Sequence, residues 1–161
     1  MRRLNPEHVA RVVALVNQGP YIQLLNMRVV ELGWGSSLVT ADLERKHHNP
    51  FGGVHGGTCT SLIDTAAFWS AYCQMAEDQG FITVDVNVNT LAAVKEGRLA
   101  ARGRCLKMGR TLCLTEALVT DPEGRLVAHG TSKMVAVPEL MNISQAVKAM
   151  GGQPLPPKFL D

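Results

Sequence analysis

The feature that most limits how this chain can fold is a helical segment whose apolar side chains point in almost every direction. Within Thr58–Trp69 these side chains are Leu62, Ile63, Ala66, Ala67, Phe68 and Trp69. A helix that is apolar on all sides is typical of a protein interior and not of a surface. We therefore expect a helix that begins near His55–Gly57, continues to about Glu77 and is enclosed by the rest of the chain.

Segments of alternating apolar and polar residues flank this helix. Before it, residues 38–43 alternate as the second strand of a hairpin that turns at Gly33–Gly35. After it, further alternating segments follow at residues 82–89, 98–106, 111–120 and 125–137. Strands before and after one interior helix predict an α+β protein, in which an antiparallel sheet wraps around a long central helix.

The first residues of the chain predict an additional helix. Asn5, Pro6 and Glu7 supply a capping amide, a proline in the first turn and an acid beside the positive end of the helix. Gly19–Pro20 ends this helix. A short helix is also expected over residues 139–150, and the glycine- and proline-rich tail that follows is expected to be either mobile or docked.

The composition limits the classes of partner. The chain has 161 residues, of which 46% are hydrophobic and 19% are charged, as expected of a single globular domain. A net charge of +2 gives no electrostatic reason to expect nucleic acid or a membrane surface as a partner. No apolar run is long enough for a membrane span. Glu7 and Arg11 interrupt any signal-peptide core, so we expect a cytoplasmic protein.

The cysteines show no CxxC spacing and lie in apolar surroundings, as Cys59, Cys73, Cys105 and Cys113. This pattern predicts buried free thiols in a reducing compartment. Cys105 and Cys113 are equidistant from Gly109, so a hairpin centred on that glycine would set them opposite each other. Such a pairing would permit a cross-strand disulfide, against which the lack of a secretion signal argues.

A glycine-rich loop, HHNPFGGVHGG over residues 47–57, leads directly into the apolar helix. Glycines let a ligand approach the backbone closely. If the helix begins near His55–Gly57, its first amides have no intrahelical partners and lie at the positive end of the helix dipole. They would suit a phosphate or a developing oxyanion. The same glycines also suit a tight turn and close packing, so both interpretations stay open.

Asp64 is the one carboxylate within the apolar helix. On a helical wheel it shares a face with Thr60, Ser61, Thr65 and Phe68, and this face would suit contact with solvent. However, an interior helix has little solvent face, and a buried carboxylate is costly unless it is hydrogen-bonded or used. A desolvated carboxylate that activates water is a recognised catalytic group. The residues alone leave both interpretations open.

Other chemistries have weaker support in the same stretch. His47, His48 and His55 would be candidate metal ligands, but their spacing matches no standard zinc pattern. A serine hydrolase of the G-x-S-x-G type is excluded because the motif is absent. Cys59 lies near the helix start, where a thiolate would be stabilised. Its place in the apolar run favours simple packing instead.

The stretch from Asn49 to Asp64 reads N-P-x-G-x-x-H-G-G followed by x-x-x-x-L-x-D. It resembles the hotdog-fold acyl-CoA thioesterases of the phenylacetate-degradation (PaaI-like) type. The similarity continues through GFITVDVNVNTLAAVKEG, the KMGRTL turn and GRLVAHGTSKMVAV. It implies a hotdog fold with an extra N-terminal helix. The chain then divides into an N-terminal helical segment (1–25), a hotdog thioesterase domain (26–138) and a C-terminal helix with its tail (139–161).

The resemblance implies roles for five residues. Asp64 matches the helix carboxylate that acts as general base, or as nucleophile, on the thioester. Gly56 matches the glycine whose N–H polarises the thioester carbonyl, and Asn49 matches the amide that positions the water or the carbonyl. His55 matches the motif histidine, with a positioning or packing role. Thr83 occupies the place where relatives have Ser or Thr to hold the catalytic water.

Thr83 is the weakest of these assignments on the sequence alone. Strand alternation sets Thr83 on one face with Asp85 and Asn87, opposite the apolar residues of the same strand. If the apolar face packs on the helix, Thr83 points away from Asp64 unless a β-bulge intervenes.

The substrate is expected to contact further residues. Gly57 and Phe68 are candidate substrate-binding residues, and Lys107 and Arg110, beside the Gly109 turn, are candidates for the phosphates of coenzyme A. Exposed basic turns are also commonly only solvated, so this assignment stays open. The walls of the acyl pocket are expected from Phe51, Phe68, Trp69, Tyr72 and Met75.

Hotdog proteins form their site between two subunits, so the resemblance implies a homodimer at minimum, with a homotetramer of two dimers expected. The expected partner is an acyl-CoA with an aromatic or a short- or medium-chain acyl group, cleaved by water attack without metal or organic cofactor. Coenzyme A enters only as part of the substrate. The alternatives are a non-catalytic acyl-CoA-binding module, or a dehydratase or hydratase that would want a histidine in the long helix.

Overall fold

The computed structural model describes residues 2–137, 140–149 and 151–160. Its elements follow one another in the order α1 (Pro6–Val16), α2 (Pro20–Leu24), β1 (Met27–Gly33), β2 (Ser36–Asp42), a 3-10 turn (Arg45–His47), α3 (Gly56–Tyr72), β3 (Phe81–Thr90), β4 (Arg98–Met108), β5 (Leu112–Thr120), β6 (Leu126–Ala136) and α4 (Ile143–Ala149). None of the described helices is long and apolar enough to cross a membrane.

One six-stranded antiparallel sheet wraps around α3, with strand order β1-β2-β4-β5-β6-β3. The helix approaches the sheet closely where two glycines remove side chains. Gly103 lies directly under the carbonyl oxygen of Ala66, and a Cβ at Gly130 would lie 2.7 Å from the Ile63 side chain. The apolar residues of α3 are buried against this sheet. The predicted α+β class, with a hotdog sheet around a central helix, is therefore confirmed.

Three helix predictions are corrected at their boundaries. The central helix ends at Tyr72 and not near Glu77, and the carbonyl of Tyr72 accepts a hydrogen bond from the ammonium of Lys158 in the C-terminal tail. Pro20 ends no structure but begins α2, at a position where its missing N–H costs nothing. The predicted helix over 139–150 is observed as Ile143–Ala149, and residues 139 and 150 lie outside the described residues.

A β-bulge changes the facing of side chains along β3. The pairing of β3 with β6 shifts register between Thr83 and Asp85, so Val84 is an extra residue in the ladder. Phe81, before the bulge, is buried against the central helix. After the bulge the even-numbered residues Val86 and Val88 pack against the core. The bulge thus allows both Thr83 and the later valines to face the helix.

The C-terminal tail is docked. We call residues 155–160, together with the N-terminal residues 3–8 that pair with them, the terminal strap. Leu4 bridges Phe159, the N–H of Asn5 donates to the carbonyl of Lys158 (2.9 Å), and the side-chain amide of Asn5 donates to the carbonyl of Pro157 (2.9 Å). The strap lies over the C-terminal end of α3.

The four cysteines are free thiols, and three of them are buried. Cys105 and Cys113 are not directly opposite, because the hairpin is centred between Arg110 and Thr111 and pairs Cys113 with Met108 and Cys105 with Thr115. Their sulfur atoms nevertheless lie 3.7 Å apart, close enough for one thiol to donate a hydrogen bond to the other.

Candidate active site

The loop before α3 is shaped by Asn49. Its side-chain oxygen accepts hydrogen bonds from the N–H of Phe51 (2.9 Å) and of Gly53 (3.3 Å). Gly52 has a φ of +80°, a left-handed conformation that favours glycine. In the described part of the chain, the side-chain NH₂ of Asn49 has no hydrogen-bond partner. The asparagine therefore builds the loop with its oxygen and leaves its donor available.

The first turn of α3 leaves one amide open. His55 is the N-cap, and its ring nitrogen Nδ1 accepts a hydrogen bond from the N–H of Gly57 (2.8 Å). The N–H of Thr58 donates to the carbonyl of His55 (2.9 Å). Among the described residues nothing pairs with the N–H of Gly56, which is exposed. His55 thus orders the helix start, and Gly56 presents a free donor at the positive end of the dipole.

The two glycines of this turn are required for different reasons. A Cβ at Gly57 would lie 2.9 Å from Nδ1 of His55, so the cap itself needs the glycine. A Cβ at Gly56 would meet only the hydroxyl of Thr90, at 3.8 Å, which is an ordinary contact. Packing within one chain therefore does not require a glycine at position 56.

Asp64 and Thr83 are brought together. The hydroxyl of Thr83 donates to Oδ1 of Asp64 (3.0 Å), and both side chains are half-buried. The β-bulge at Val84 makes this contact, because without it Thr83 would lie on the outer face of β3. No basic side chain among the described residues pairs with Asp64, and its second oxygen has no partner there. This carboxylate is placed inside a largely apolar helix with one oxygen held and the other free.

Gly56 and Asp64 are not brought together within one chain. They are separated by eight residues on the same continuous helix, a rise of about 12 Å at 1.5 Å per residue. Asn49 precedes the helix and lies at the Gly56 end. The residues that the resemblance assigns to one site thus form two separate groups in a single copy of the protein.

Phe68 follows Asp64 by one helical turn and lines a cavity of about 190 Å³. Trp69, Tyr72 and Met75 line the same cavity, as expected for pocket walls. Phe51, also expected there, is 93% exposed at the tip of the loop before α3. Four of the five expected wall residues therefore share one cavity, and Phe51 does not reach it in its own chain.

Lys107 and Arg110 are exposed beside the turn between β4 and β5. The strand pairing connects this turn to the site, since Met108 pairs with Cys113, Cys113 with Met134 and Met134 with Thr83. The turn is thus at the same end of the sheet as Thr83, about 14 Å away across three strand spacings. The contact of these two residues with coenzyme A phosphates stays a prediction.

The three histidines of the loop are each engaged in hydrogen bonds. His47 is buried, accepts from the N–H of Glu44 at Nδ1 (2.8 Å) and donates from Nε2 to the carbonyl of Leu25 (2.8 Å). His48 bonds through Nε2 to the carbonyl of Lys95 (2.7 Å), and His55 caps α3. Within the described ranges, no group of three or more metal-ligating side chains is found.

Cys59 is an unsuitable nucleophile. It is 2% exposed and packs in the core between α3 and the sheet. Burial raises the pKa of its thiol, so the reactive thiolate is disfavoured. The packing interpretation of Cys59 is supported.

The cavity has walls that the sequence analysis missed. Leu140, Met141, Ile143 and Lys158 line it from the C-terminal side. These residues are far from the motif in sequence and carry no motif of their own. The helical spacing of Ile143 and Val147 would have indicated a docked face of α4, but not the cavity that this face covers.

Known proteins share both the sequence pattern and the fold. The model of the Thioesterase superfamily matches residues 51–128. The chain is 26% identical over 105 residues to a 1,4-dihydroxy-2-naphthoyl-CoA hydrolase of Listeria monocytogenes, covering 65% of this chain and 85% of that protein. It is 27% identical to acyl-coenzyme A thioesterase 13 of Homo sapiens, covering 78% of this chain and 81% of that protein.

A solved structure with the same fold is a variant of the phenylacetic acid degradation protein PaaI from Thermus thermophilus. The TM-score is 0.68 at 21% sequence identity, and the match covers 74% of this chain and all of that one (100%). At this identity the similarity concerns the fold.

Proposed function

The chain belongs to the thioesterase superfamily, and on the premise that it is a thioester hydrolase we propose that it cleaves acyl-coenzyme A with Asp64 as the base. The observation that carries this proposal is the Asp64–Thr83 pair on a helix that is otherwise apolar. Thr83 satisfies one oxygen of this half-buried carboxylate, and the second oxygen stays free to accept a proton. The thiol alternative is disfavoured by the burial of Cys59.

The chemistry follows from which oxygen is free. Thr83 holds Oδ1 of Asp64, so the second oxygen accepts a proton from a water molecule as that water attacks the thioester carbonyl carbon. The N–H of Gly56 donates to the carbonyl oxygen as negative charge develops on it, with the helix dipole adding to the effect. The tetrahedral intermediate expels the coenzyme A thiolate, which takes up a proton. Direct attack by Asp64 on the carbonyl is the alternative for the same residue.

We infer that the reacting groups come from two copies of the chain. One carbonyl group cannot contact both ends of a separation of about 12 Å. The site is complete only if Gly56 and Asn49 of one copy lie against Asp64 and Thr83 of another. A ligand or partner surface at Gly56 would also supply the reason for a glycine that packing within one chain does not require.

The edge of the sheet supports association at this place. β3 is an edge strand, and beside Thr83 it exposes Ile82 (41%) and Val84 (53%). Apolar edge strands favour pairing with another copy, which satisfies their unpaired backbone groups. A two-fold arrangement would form two equivalent sites. We propose a homodimer on this basis, with pairing of dimers into a tetramer as a further prediction for light scattering.

Hydrolysis and site sharing can be tested together. The wild-type protein should release thiol from an acyl-CoA series, detected with a thiol-reactive dye, and binding without release would favour a non-catalytic binding module. Two inactive variants, Asp64→Asn and Gly56→Val, should recover activity when unfolded together and refolded as mixed dimers, because one site of each mixed dimer then has both groups intact.

The matched control for this experiment mixes Asp64→Asn with Asp64→Ala. Both lesions remove the same carboxylate, so every site of a mixed dimer has a damaged Asp64 and should show no recovery. Equal recovery in both mixtures, or none in either, would contradict the shared site.

A further inference from the structure

The cavity lined by Phe68 and Trp69 lies next to the Asp64–Thr83 pair, because α3 and β3 each contribute one residue to the pair and line the cavity. Phe68 follows Asp64 by four residues on α3, and Phe81 precedes Thr83 by two residues on β3. Residues at these spacings share a face of a helix or of a strand. The cavity therefore begins one helical turn, about 6 Å, beyond the carboxylate.

We propose that this cavity holds the acyl group and that Leu140–Ile143 of the C-terminal segment limits the length of acyl chain that fits. The inference rests on the function proposed above and adds the residues that select the substrate. We call the cavity the acyl chamber. Its walls include Phe68, Trp69, Tyr72 and Met75 from the helical side, Phe81 from β3, and Leu140, Met141, Ile143 and Lys158 from the C-terminal side.

The chemistry of the walls favours an apolar acyl group. Phe68 and Trp69 pack edge to face at 5.4 Å, and Trp69 and Tyr72 lie 5.2 Å apart. The hydroxyl of Tyr72 is already hydrogen-bonded to Nε2 of His8 (2.7 Å). The Lys158 ammonium likewise donates to two backbone carbonyls. Both the Tyr72 hydroxyl and the Lys158 ammonium therefore already have hydrogen-bond partners. Glu77, Gln79 and Asn142 also line the chamber, and their side-chain oxygens accept hydrogen bonds from the backbone N–H groups of Lys158, Ala76 and Gln145. An aliphatic or aromatic acyl group would therefore meet mainly carbon and sulfur.

The C-terminal wall is anchored at both of its ends. At one end the N–H of Val137 donates to the carbonyl of Gly80 (3.0 Å), and Leu140 lies so close that a Cβ at Gly80 would approach its carbonyl oxygen to 2.8 Å. At the other end the N–H of Lys158 donates to Glu77 (2.7 Å), and its ammonium donates to the carbonyls of Tyr72 (3.2 Å) and Met75 (3.0 Å). Because these hydrogen bonds hold the wall in place, it sets a fixed limit on the length of the acyl chain.

This wall lies outside the segment that carries the family pattern. The Thioesterase superfamily model ends at residue 128, before Leu140–Ile143 and Lys158. The proposed limit on acyl length is therefore set by residues beyond the matched segment, whereas Gly56, Asp64 and Thr83 lie inside it.

The test measures binding separately from turnover. The probes are 2-oxoalkyl-CoA thioethers of increasing chain length, which keep the carbonyl but have no thioester bond. For the full wild-type chain, affinity should rise with each added carbon up to a certain chain length and then fall. We call the chain length at which affinity begins to fall the break. Ile143→Ala should move the break to longer chains, with roughly a 10-fold gain for probes one or two carbons beyond it, since a methylene in an apolar pocket is worth about that much.

Two further variants keep the result interpretable. Met141 lines the chamber but is 55% exposed, so Met141→Phe should fold and move the break to shorter chains. Val147→Ala is the control, because Val147 lies on the same helix, is buried, and lines a different cavity with Leu15 and Leu155. Its break should match that of the wild type.

An unmoved break in both Ile143→Ala and Met141→Phe would overturn the acyl chamber, as would an equal movement in Val147→Ala. Turnover distinguishes this failure from a failure of the proposed function. A break that moves as expected, in a protein that hydrolyses no acyl-CoA, would keep the chamber and refute the hydrolase. Hydrolysis with an unmoved break would do the reverse.

Discussion

At its N-terminal end α3 is open, whereas at its C-terminal end it is closed. Gly56 presents an unpartnered N–H on an exposed turn, among the residues that the structure describes. At the other end the ammonium of Lys158, only 3% exposed, donates to the carbonyls of Tyr72 and Met75 and lies 4.2 Å from the centre of the Tyr72 ring. The cation at the closed end suits the negative end of the helix dipole, whereas the free N–H at the open end would suit an oxyanion.

The difference separates function from stability. The closed end satisfies its own hydrogen bonds with residues of the same chain, so it contributes to folding and presents to a ligand only the walls of the acyl chamber. The open end and Asp64 keep donors and an acceptor free, at some cost to stability, and this is typical of a site that binds another molecule. Substitutions at the open end and at Asp64 should therefore change kcat, whereas substitutions at the closed end should change the free energy of unfolding.

The largest effect is expected from Asp64→Asn. The substitution keeps the shape and removes the charge that takes the proton from water. We expect kcat to fall about 10²–10⁴-fold with KM little changed, because the binding surfaces persist. Steady-state kinetics on an acyl-CoA substrate measures this, and the melting temperature should stay near that of the wild type.

Cys59→Ala is the companion variant, and its kcat should be close to wild type. An active Asp64→Asn, or an inactive but folded Cys59→Ala, would require a different catalytic group. Asn49→Ala should lie between the two, because water can partly replace a positioning amide.

At the closed end, Lys158→Met should lower the free energy of unfolding by about 2–3 kcal/mol, as expected when hydrogen bonds from a charged donor to two buried carbonyls are lost. The apolar stem is retained, so packing changes little. Urea unfolding measures the effect. Although Lys158 lies in the wall of the acyl chamber, the folded protein should keep a wild-type kcat on a short acyl-CoA, whose acyl group does not extend to this wall. A collapse of kcat in fully folded protein would erase the contrast between the two ends.

Thr83→Val should lower kcat about 10-fold and leave KM nearly unchanged. Valine suits a strand and keeps the shape, but Oδ1 of Asp64 loses its hydrogen bond. Thr83→Ser, which restores the hydroxyl, should recover most of the rate. A purely structural role for Thr83 would instead lower stability in the valine variant without this rescue.

The smallest effect is expected from pH at the terminal strap. His8 is buried, and desolvation lowers the pKa of its imidazole, with Arg11 and Lys158 acting in the same direction and Glu77 and the hydrogen bond to Pro156 opposing it. Nδ1–H donates to the carbonyl of Pro156 and Nε2 faces the Tyr72 hydroxyl, so the neutral ring fits.

Below pH 6.5 the unfolded chain therefore binds a proton that the folded chain resists, and the free energy of unfolding should fall by up to about 1.4 kcal/mol per pH unit. Urea unfolding at pH 7 and pH 5 measures this slope. His8→Phe should lose less stability on acidification than the wild type, and an equal loss in both proteins would exclude His8 as the source.

Local features of the site were predictable from the sequence alone. The helix start near His55–Gly57, its open first amides and the lone carboxylate at Asp64 involve residues close together in the chain, where helix geometry fixes their relations. The sheet around an apolar helix followed likewise from the period of the strands. The shared site remains a prediction, since it depends on a second copy of the chain.

Only the tertiary structure decided where Thr83 points and what closes the far end of α3. The facing of Thr83 depends on an extra residue in the ladder with β6, and alternation within β3 gives no sign of it. Lys158 reaches α3 from more than 80 residues away along the chain. The physical reason is the same in both cases: strand register and tail docking are set by the packing of distant segments, whose energies no short stretch of sequence contains.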